Sequence, residues 1–234
     1  MPTLLAIETS SETASAALLH SDRITSRQTD GVMNHSQAIL PMVQSLLAEA
    51  GIDLADCEAI AFGSGPGSFT GVRTACGVVQ GLAFGADRPV IPVVTLLALA
   101  EAQRASGAVE VLSALDARMG EVYWAQYRYD AGLAAWQTVL PPALGAPSQV
   151  QPEPDSVNLV LAGNGFAAYA GQFTLPESMT AAAQNTVPTA VAILGIAQTE
   201  FAAGRLLPAS EAQPLYLRNK IALTSAERAA LAKQ

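Results

Sequence analysis

Between an apolar run at Ala59 to Phe62 and a helical pattern from Val72 to Phe84 lies Gly63-Ser64-Gly65-Pro66-Gly67-Ser68-Phe69-Thr70-Gly71, four glycines and a proline within nine residues. A strand, a glycine loop and a helix in that order aim backbone N–H groups from a helix N-terminus, an arrangement that can hold an anion. The wording departs from the known phosphate fingerprints. A Walker loop needs Gly-Lys-Ser/Thr where this chain has Gly67-Ser68-Phe69, and a dinucleotide loop needs glycine where Ser68 stands. The competing reading is a tight turn whose missing side chains let the helix pack closely.

Two carboxylates come next. Leu4-Leu5-Ala6-Ile7-Glu8 and Leu112-Ser113-Ala114-Leu115-Asp116 superpose, each an apolar strand ending in an acid and followed by a polar turn. Glu8 and Asp116 facing each other across a cleft would suit a magnesium ion or a nucleotide. Acids are also common where strands meet turns, so that pairing stands beside a purely local one. His20 and His35 fall in different elements without the spacing of a helical metal site, so no metal is expected, and His35 reads as a capping or surface residue. Ser68 lacks the Gly-x-Ser-x-Gly elbow of a hydrolase, and a peptidase reading has no metal ligands behind it. Gly77, Gly81 and Gly85 recur every fourth residue and so share one helix face. Each costs about 1 kcal/mol relative to alanine, which calls for compensation either from this chain's own sheet or from a partner helix, aided by Val72, Cys76 and Val79.

The elements that must position these residues follow from periodicity. The chain has 234 residues, 50% hydrophobic and 14% charged, ample for a buried core. Ala14 to Leu19 and Ile24 to Gln28 complete a meander after the first strand. Asn34 with Gln37 begins a helix carrying Ile39, Leu40, Val43, Leu46 and Leu47 up to Gly51, and Pro41 inside it predicts a kink or a late start. Pro89 to Val94 is a strand and Leu96 to Arg104 a helix. Val109 to Asp116, Glu121 to Tyr127 and Leu133 to Gln137 repeat the opening meander, a weak internal duplication. Pro141 to Asp155 reads as a surface connection, Asn158 to Ala162 as a buried strand, Val187 to Ala203 as a helix and Ser225 to Lys233 as a terminal helix. The fold class is α/β, with residues 1–105 forming one lobe, joined by the helix at 215–234, and 106–214 the other.

Charge narrows the partners. Twelve Lys plus Arg against twenty Asp plus Glu give a net charge of -8, and no basic residue lies between Arg128 and Arg205. Such a surface is poorly suited to a phosphate backbone, so RNA would be met through another protein. Two cysteines are too few for a disulfide scaffold, and Met1-Pro2-Thr3 leads into no basic-then-apolar run, so a cytoplasmic protein is expected. No apolar stretch reaches the roughly 18 residues of a membrane span.

Five segments together resemble one family. They are Leu5-Ala6-Ile7-Glu8-Thr9-Ser10, His35-Ser36-Gln37 with Leu40-Pro41, the loop from Gly63 through Val72-Arg73, Asp116-Ala117-Arg118-Met119-Gly120-Glu121-Val122-Tyr123, and Pro214-Leu215-Tyr216-Leu217-Arg218. In order and at suitable spacing, they are similar to the bacterial TsaB family, also called YeaZ. The resemblance implies a two-lobed actin-like or Hsp70-like (ASKHA) fold whose hairpin-led mixed sheets are duplicated and flanked by helices. It implies a non-catalytic partner in making threonylcarbamoyladenosine (t6A) beside the tRNA anticodon. The paralogue TsaD, with a metal-holding His-x-x-x-His pair that this chain lacks, performs the transfer from threonylcarbamoyl-AMP, and the ATPase TsaE joins the assembly. Docking on TsaD, or on a second copy when alone, would use Leu40, Val43, Leu47, Val72, Arg73, Cys76, Gly77, Val79, Gln80 and Gly81. No tightly bound cofactor is expected, while ATP or ADP at a site shared with the partner would meet Glu8, Gly65, Gly67, Asp116 and Arg118. The family usually has Asp where this chain has Glu8, and that departure weakens the nucleotide reading. The alternative is a small phosphotransferase of the same fold.

Overall fold

Strands that bury both faces belong at the centre of a covered sheet, and Leu4–Glu8 (β1) and Ala59–Gly65 (β4) bury every residue. They pair in parallel, Leu4 beside Ala59 and Ile7 beside Phe62. Thr13–His20 (β2) and Arg23–Asp30 (β3) add antiparallel strands on one side and Val90–Val94 (β5) a parallel one on the other, giving the order β3-β2-β1-β4-β5. A second sheet, Glu110–Arg118 (β6), Glu121–Asp130 (β7), Ala135–Gly145 (β8) and Val160–Ala162 (β9), runs β8-β7-β6-β9, with the short helix Gly165–Ala168 (α4) following β9. Each sheet is thus a three-strand meander with a parallel strand added beside its first member, the duplication expected from the sequence. This computed structural model describes residues 2–30, 35–154, 156, 158–175 and 185–218. The expected helix at Ser225 to Lys233 and the cap at Asn34 lie outside them.

Alternation along β1 divides the first lobe into two layers. Leu5 and Ile7, with Ile60 and Phe62 of β4, meet His35–Ala50 (α1) and Phe69–Ala86 (α2) in one core. Leu4 and Ala6, with Ala59 and Ala61, meet Ala190–Ala202 (α5) in a second core on the opposite face. Helix α5 falls inside the range 106–214 read from sequence as the second lobe, yet it covers the first sheet, so that boundary is corrected: the chain returns to its first lobe after β9. Between the lobes lies Thr95–Ala102 (α3), with Thr95, Leu96, Ala98, Leu99 and Ala100 all buried. Leu96 and Leu99 pack on Val111 and Tyr127 of the second sheet while Ala98 faces α5.

Helix α1 begins at His35 and runs through Pro41, so the expected late start does not occur. The hydrogen bond that Pro41 cannot donate would have gone to Gln37, and both residues are exposed, which leaves that carbonyl to water. His35 is buried rather than superficial, with Nε2 3.2 Å from the Glu12 carbonyl. Strand β8 extends well past the expected Gln137, through Pro141 and Pro142. It is an edge strand, and the prolines sit where the register slips, Trp124 facing Ala143 and Gln126 facing Leu140. An edge bulge is where a ladder tolerates residues without an N–H.

Several buried polar atoms have no partner among the described residues, and one of them sits in the second sheet's core. Tyr127 on β7 is 2% exposed, its hydroxyl has no partner among the described residues, and burial pushes its phenol well above the ordinary value. Removing a buried, unsatisfied hydroxyl without changing shape relieves a desolvation cost of about 1–3 kcal/mol. Tyr127→Phe is therefore expected to hold or raise the thermal unfolding midpoint. A loss of about 1 kcal/mol or more in denaturant titration would show that the hydroxyl is bonded in solution.

Candidate functional site

The glycine loop owes its composition first to the turn after β1. A Cβ on Gly63 would overlap the Glu8 carboxylate, one on Gly71 would overlap the Thr9 carbonyl, and one on Gly67 would lie 2.6 Å from the Ser10 carbonyl. Hydrogen bonds hold the two segments in that contact: Ser68 N–H donates to Ser10 O at 2.7 Å and the Thr9 hydroxyl to Gly71 O at 2.7 Å. Helix α2 begins at Phe69, three residues before the expected Val72, because Ser68 caps it by accepting from Gly71 N–H. The close-packing reading accounts for these glycines.

Beside the turn, a cleft of about 460 Å³ opens between the lobes. Of the residues assigned to a nucleotide, Gly67, Asp116 and Arg118 line it together with Ser10, Glu12 and Asn164. Glu8 does not. Its side chain is fully buried against Gly63, so the expected pairing of Glu8 with Asp116 across the cleft is corrected. Gly65, at φ 104°, lies just behind the wall, where a Cβ would come within 3.0 Å of Leu215 O.

Asp116 is already well served by donors: the Tyr169 hydroxyl at 2.8 Å, the Arg118 N–H at 2.7 Å and the Arg118 guanidinium at 3.0 Å. The bond to this carboxylate pushes the Tyr169 phenol up. Arg118 also reaches Glu12 of the other lobe at 3.9 Å. The cleft therefore offers an arginine, backbone at a capped helix N-terminus and an engaged carboxylate. That set can contact an anionic ligand, but it lacks a second cleft-facing carboxylate at the Glu8 position. Ser10, Glu12 and Asn164 escaped the sequence reading, although Gly163-Asn164-Gly165 follows β9 as Gly63-Ser64-Gly65 ends β4.

The proposed docking residues divide between two faces. Val43, Val72, Cys76 and Val79 are between 0% and 6% exposed and belong to the chain's own first core, so they present no surface to a partner. Leu47 is partly buried against the same core. Leu40, Arg73, Gly77 and Gly81 are exposed and Gln80 is half-buried. A Cβ placed on Gly77, Gly81 or Gly85 would meet nothing within 4 Å among the described residues, so this stripe faces outward rather than onto the chain's own sheet. Phe84, at 80% exposure, stands beside it and was missed because it marked the expected helix end.

Comparison with known proteins agrees with this architecture. A family model described as TsaD: tRNA N6-adenosine threonylcarbamoyltransferase matches residues 17–230. The tRNA threonylcarbamoyladenosine biosynthesis protein TsaB of Haemophilus influenzae is 40% identical over 94% of each chain, and that of Escherichia coli 39% identical over 94% of this chain and 96% of the relative. The solved structure of YeaZ from Pseudomonas aeruginosa superposes with a TM-score of 0.87 at 42% identity, covering 93% of this chain and all of that one. The chain belongs to the TsaB (YeaZ) family.

In this TsaB-family chain, Glu8 is sealed beneath the glycine loop. Burial pushes its carboxyl above the ordinary value of 4.5, against neighbouring Ser10 and Thr9 groups that favour the charged form, and its Oε2 has no partner among the described residues. The folded state therefore holds this proton more tightly than the unfolded chain. The stability a protonated Glu8 contributes is complete below 4.5 and lost as pH rises through the raised folded value. Glu8→Gln removes that loss. In urea titrations, the stability of this variant relative to the natural chain should climb with pH above 4.5, by at most about 1.4 kcal/mol per pH unit. Parallel pH profiles would contradict the assignment.

Proposed function

We propose that this TsaB-family chain is a non-catalytic partner subunit in t6A synthesis, docking through the outward face of α1 and α2 onto the TsaD-type transferase. It would thereby support transfer of the threonylcarbamoyl group from threonylcarbamoyl-AMP to the adenosine beside the tRNA anticodon. The observation that carries this reading is the open stripe of Gly77, Gly81 and Gly85 on α2, with exposed Phe84 on the same helix and exposed Leu40 on α1. Three glycines in one helix weaken it by about 1 kcal/mol each, and no contact among the described residues returns that energy at their missing side chains. Close approach of another helix would. The names of the relatives, each a t6A biosynthesis protein, support the pathway.

A net charge of -8 leaves tRNA to be met through the assembly, in which the ATPase TsaE also takes part. In the absence of TsaD, a second copy of this chain would occupy the same face. ATP or ADP would sit at a site completed by the partner, with Gly67, Asp116 and Arg118 as this chain's share. The effect on the partner is conformational: contacts made to one state of the transferase and not another shift it toward the active arrangement.

Gly81→Arg tests the face directly. The new side chain has open space in the isolated chain and replaces a poor helix former, so the fold should hold and its stability rise by up to about 1 kcal/mol. Association with the TsaD-type partner, followed by size-exclusion light scattering, should weaken at least about 100-fold, equivalent to about 2.7 kcal/mol. Unchanged association would remove the face from the account. Val79→Arg would not serve, because it places a charge in the chain's own core.

A further inference from the structure

The chain passes between the lobes through α3, through the return from β9 to α5, and through the segment 212–218. The apolar side chains of α3 are buried against both lobes. The irregular segment 212–218 leaves the first lobe and crosses the cleft, where Leu215, Tyr216, Leu217 and Arg218 form part of the lining.

The two ends of this segment are held by different physics. On the first lobe, Ala212 is buried in the core and its carbonyl accepts from the Cys76 thiol at 3.4 Å. Leu215 N–H donates to Ser64 O at 2.7 Å, and the Tyr216 ring lies 6.3 Å from that of Phe69, with the Arg73 guanidinium over both. On the second lobe, the hold is Arg218. Its guanidinium donates to Ala117 O at 2.9 Å, pairs with Glu121 at 2.8 Å and touches the Met119 sulfur at 3.6 Å. Apolar burial and backbone hydrogen bonds are insensitive to ionic strength, whereas a pair at the surface, about a quarter exposed on both sides, is screened and reversible.

We propose that residues 212–218 are an interlobe strap, fixed to the first lobe and clasped to the second by Arg218, and that this clasp sets the opening of the cleft. With the clasp made, the lobes close over the cleft. With it released, they swing about α3, the helix buried against both lobes. Both ends of Arg218's contact region, Ala117 and Glu121, flank the turn between β6 and β7, so the clasp acts directly on the hairpin that carries Asp116 and Arg118 into the cleft.

Spin labels at Gln28→Cys on β3 and Thr138→Cys on β8 place one exposed reporter on each sheet, while the natural Cys57 and Cys76 are buried. Double electron–electron resonance on the full chain should give a longer and broader interlobe distance in Arg218→Ala, with a smaller change in the same direction for Glu121→Gln or on raising salt. Arg205→Ala, which breaks an exposed pair with Glu200 outside the cleft, should leave the distribution unchanged. Circular dichroism checks that each variant is folded. An Arg218→Ala distribution that superposes on the natural one, or an equal change in Arg205→Ala, would overturn the strap.

Discussion

The contact between the β1–β2 turn and the entry to α2 is the constraint on which the first lobe depends. Gly63, Gly67 and Gly71 have no room for a Cβ because Glu8, Ser10 and Thr9 occupy that space. Backbone-to-backbone approach at this distance fixes where α2 starts and how it is rotated. That rotation sends Val72, Ala75, Cys76, Val79 and Ala83 into the core and leaves Gly77, Gly81 and Gly85 on the outside. It also places Ser10, Gly67 and Ser68 at the mouth of the cleft. One close contact therefore orients both the surface assigned to docking and one wall of the cleft.

The two sets of glycines illustrate how one residue type serves opposite ends. Those of the loop lack a side chain because the protein's own backbone is there, and their cost is offset inside the fold. Those of the helix lack one with no described residue beside them, and no contact among the described residues offsets their cost. Of the two strand-end acids, Glu8 is sealed and holds its proton more tightly than an exposed carboxyl, while Asp116 is engaged by Tyr169 and Arg118. An outward glycine face and a cleft of partly engaged groups are what support the proposed role as a partner subunit.

Much of the architecture was legible because it rests on local rules. The duplication showed in Leu4 to Glu8 and Leu112 to Asp116, and alternation marked the strands. That Gly77, Gly81 and Gly85 share a face showed in spacing, which left open whether a partner or the chain's own sheet met that face. Its neighbours were misassigned: Val79 lies two residues from Gly77 and Gly81, which on a helix is nearly the opposite side, so proximity in sequence was mistaken for proximity in space. Long-range features left no local trace. Nothing in Ala190 to Ala202 says which sheet it covers, and the prolines of β8 read as a loop until its edge position is known. The burial of Glu8 follows from the absence of a side chain at Gly63, fifty-five residues away in sequence.

Oxidative footprinting of the chain with and without the TsaD-type partner tests the central claim most directly, since large exposed side chains report on each surface. Phe84 lies on α2 with the glycine stripe and Leu40 on α1, while Leu133 stands on the second lobe. The account requires strong protection of Leu40 and Phe84 in the complex with Leu133 oxidised as before. Protection of Leu133 with Leu40 and Phe84 still reactive would place the partner on the other lobe and contradict it.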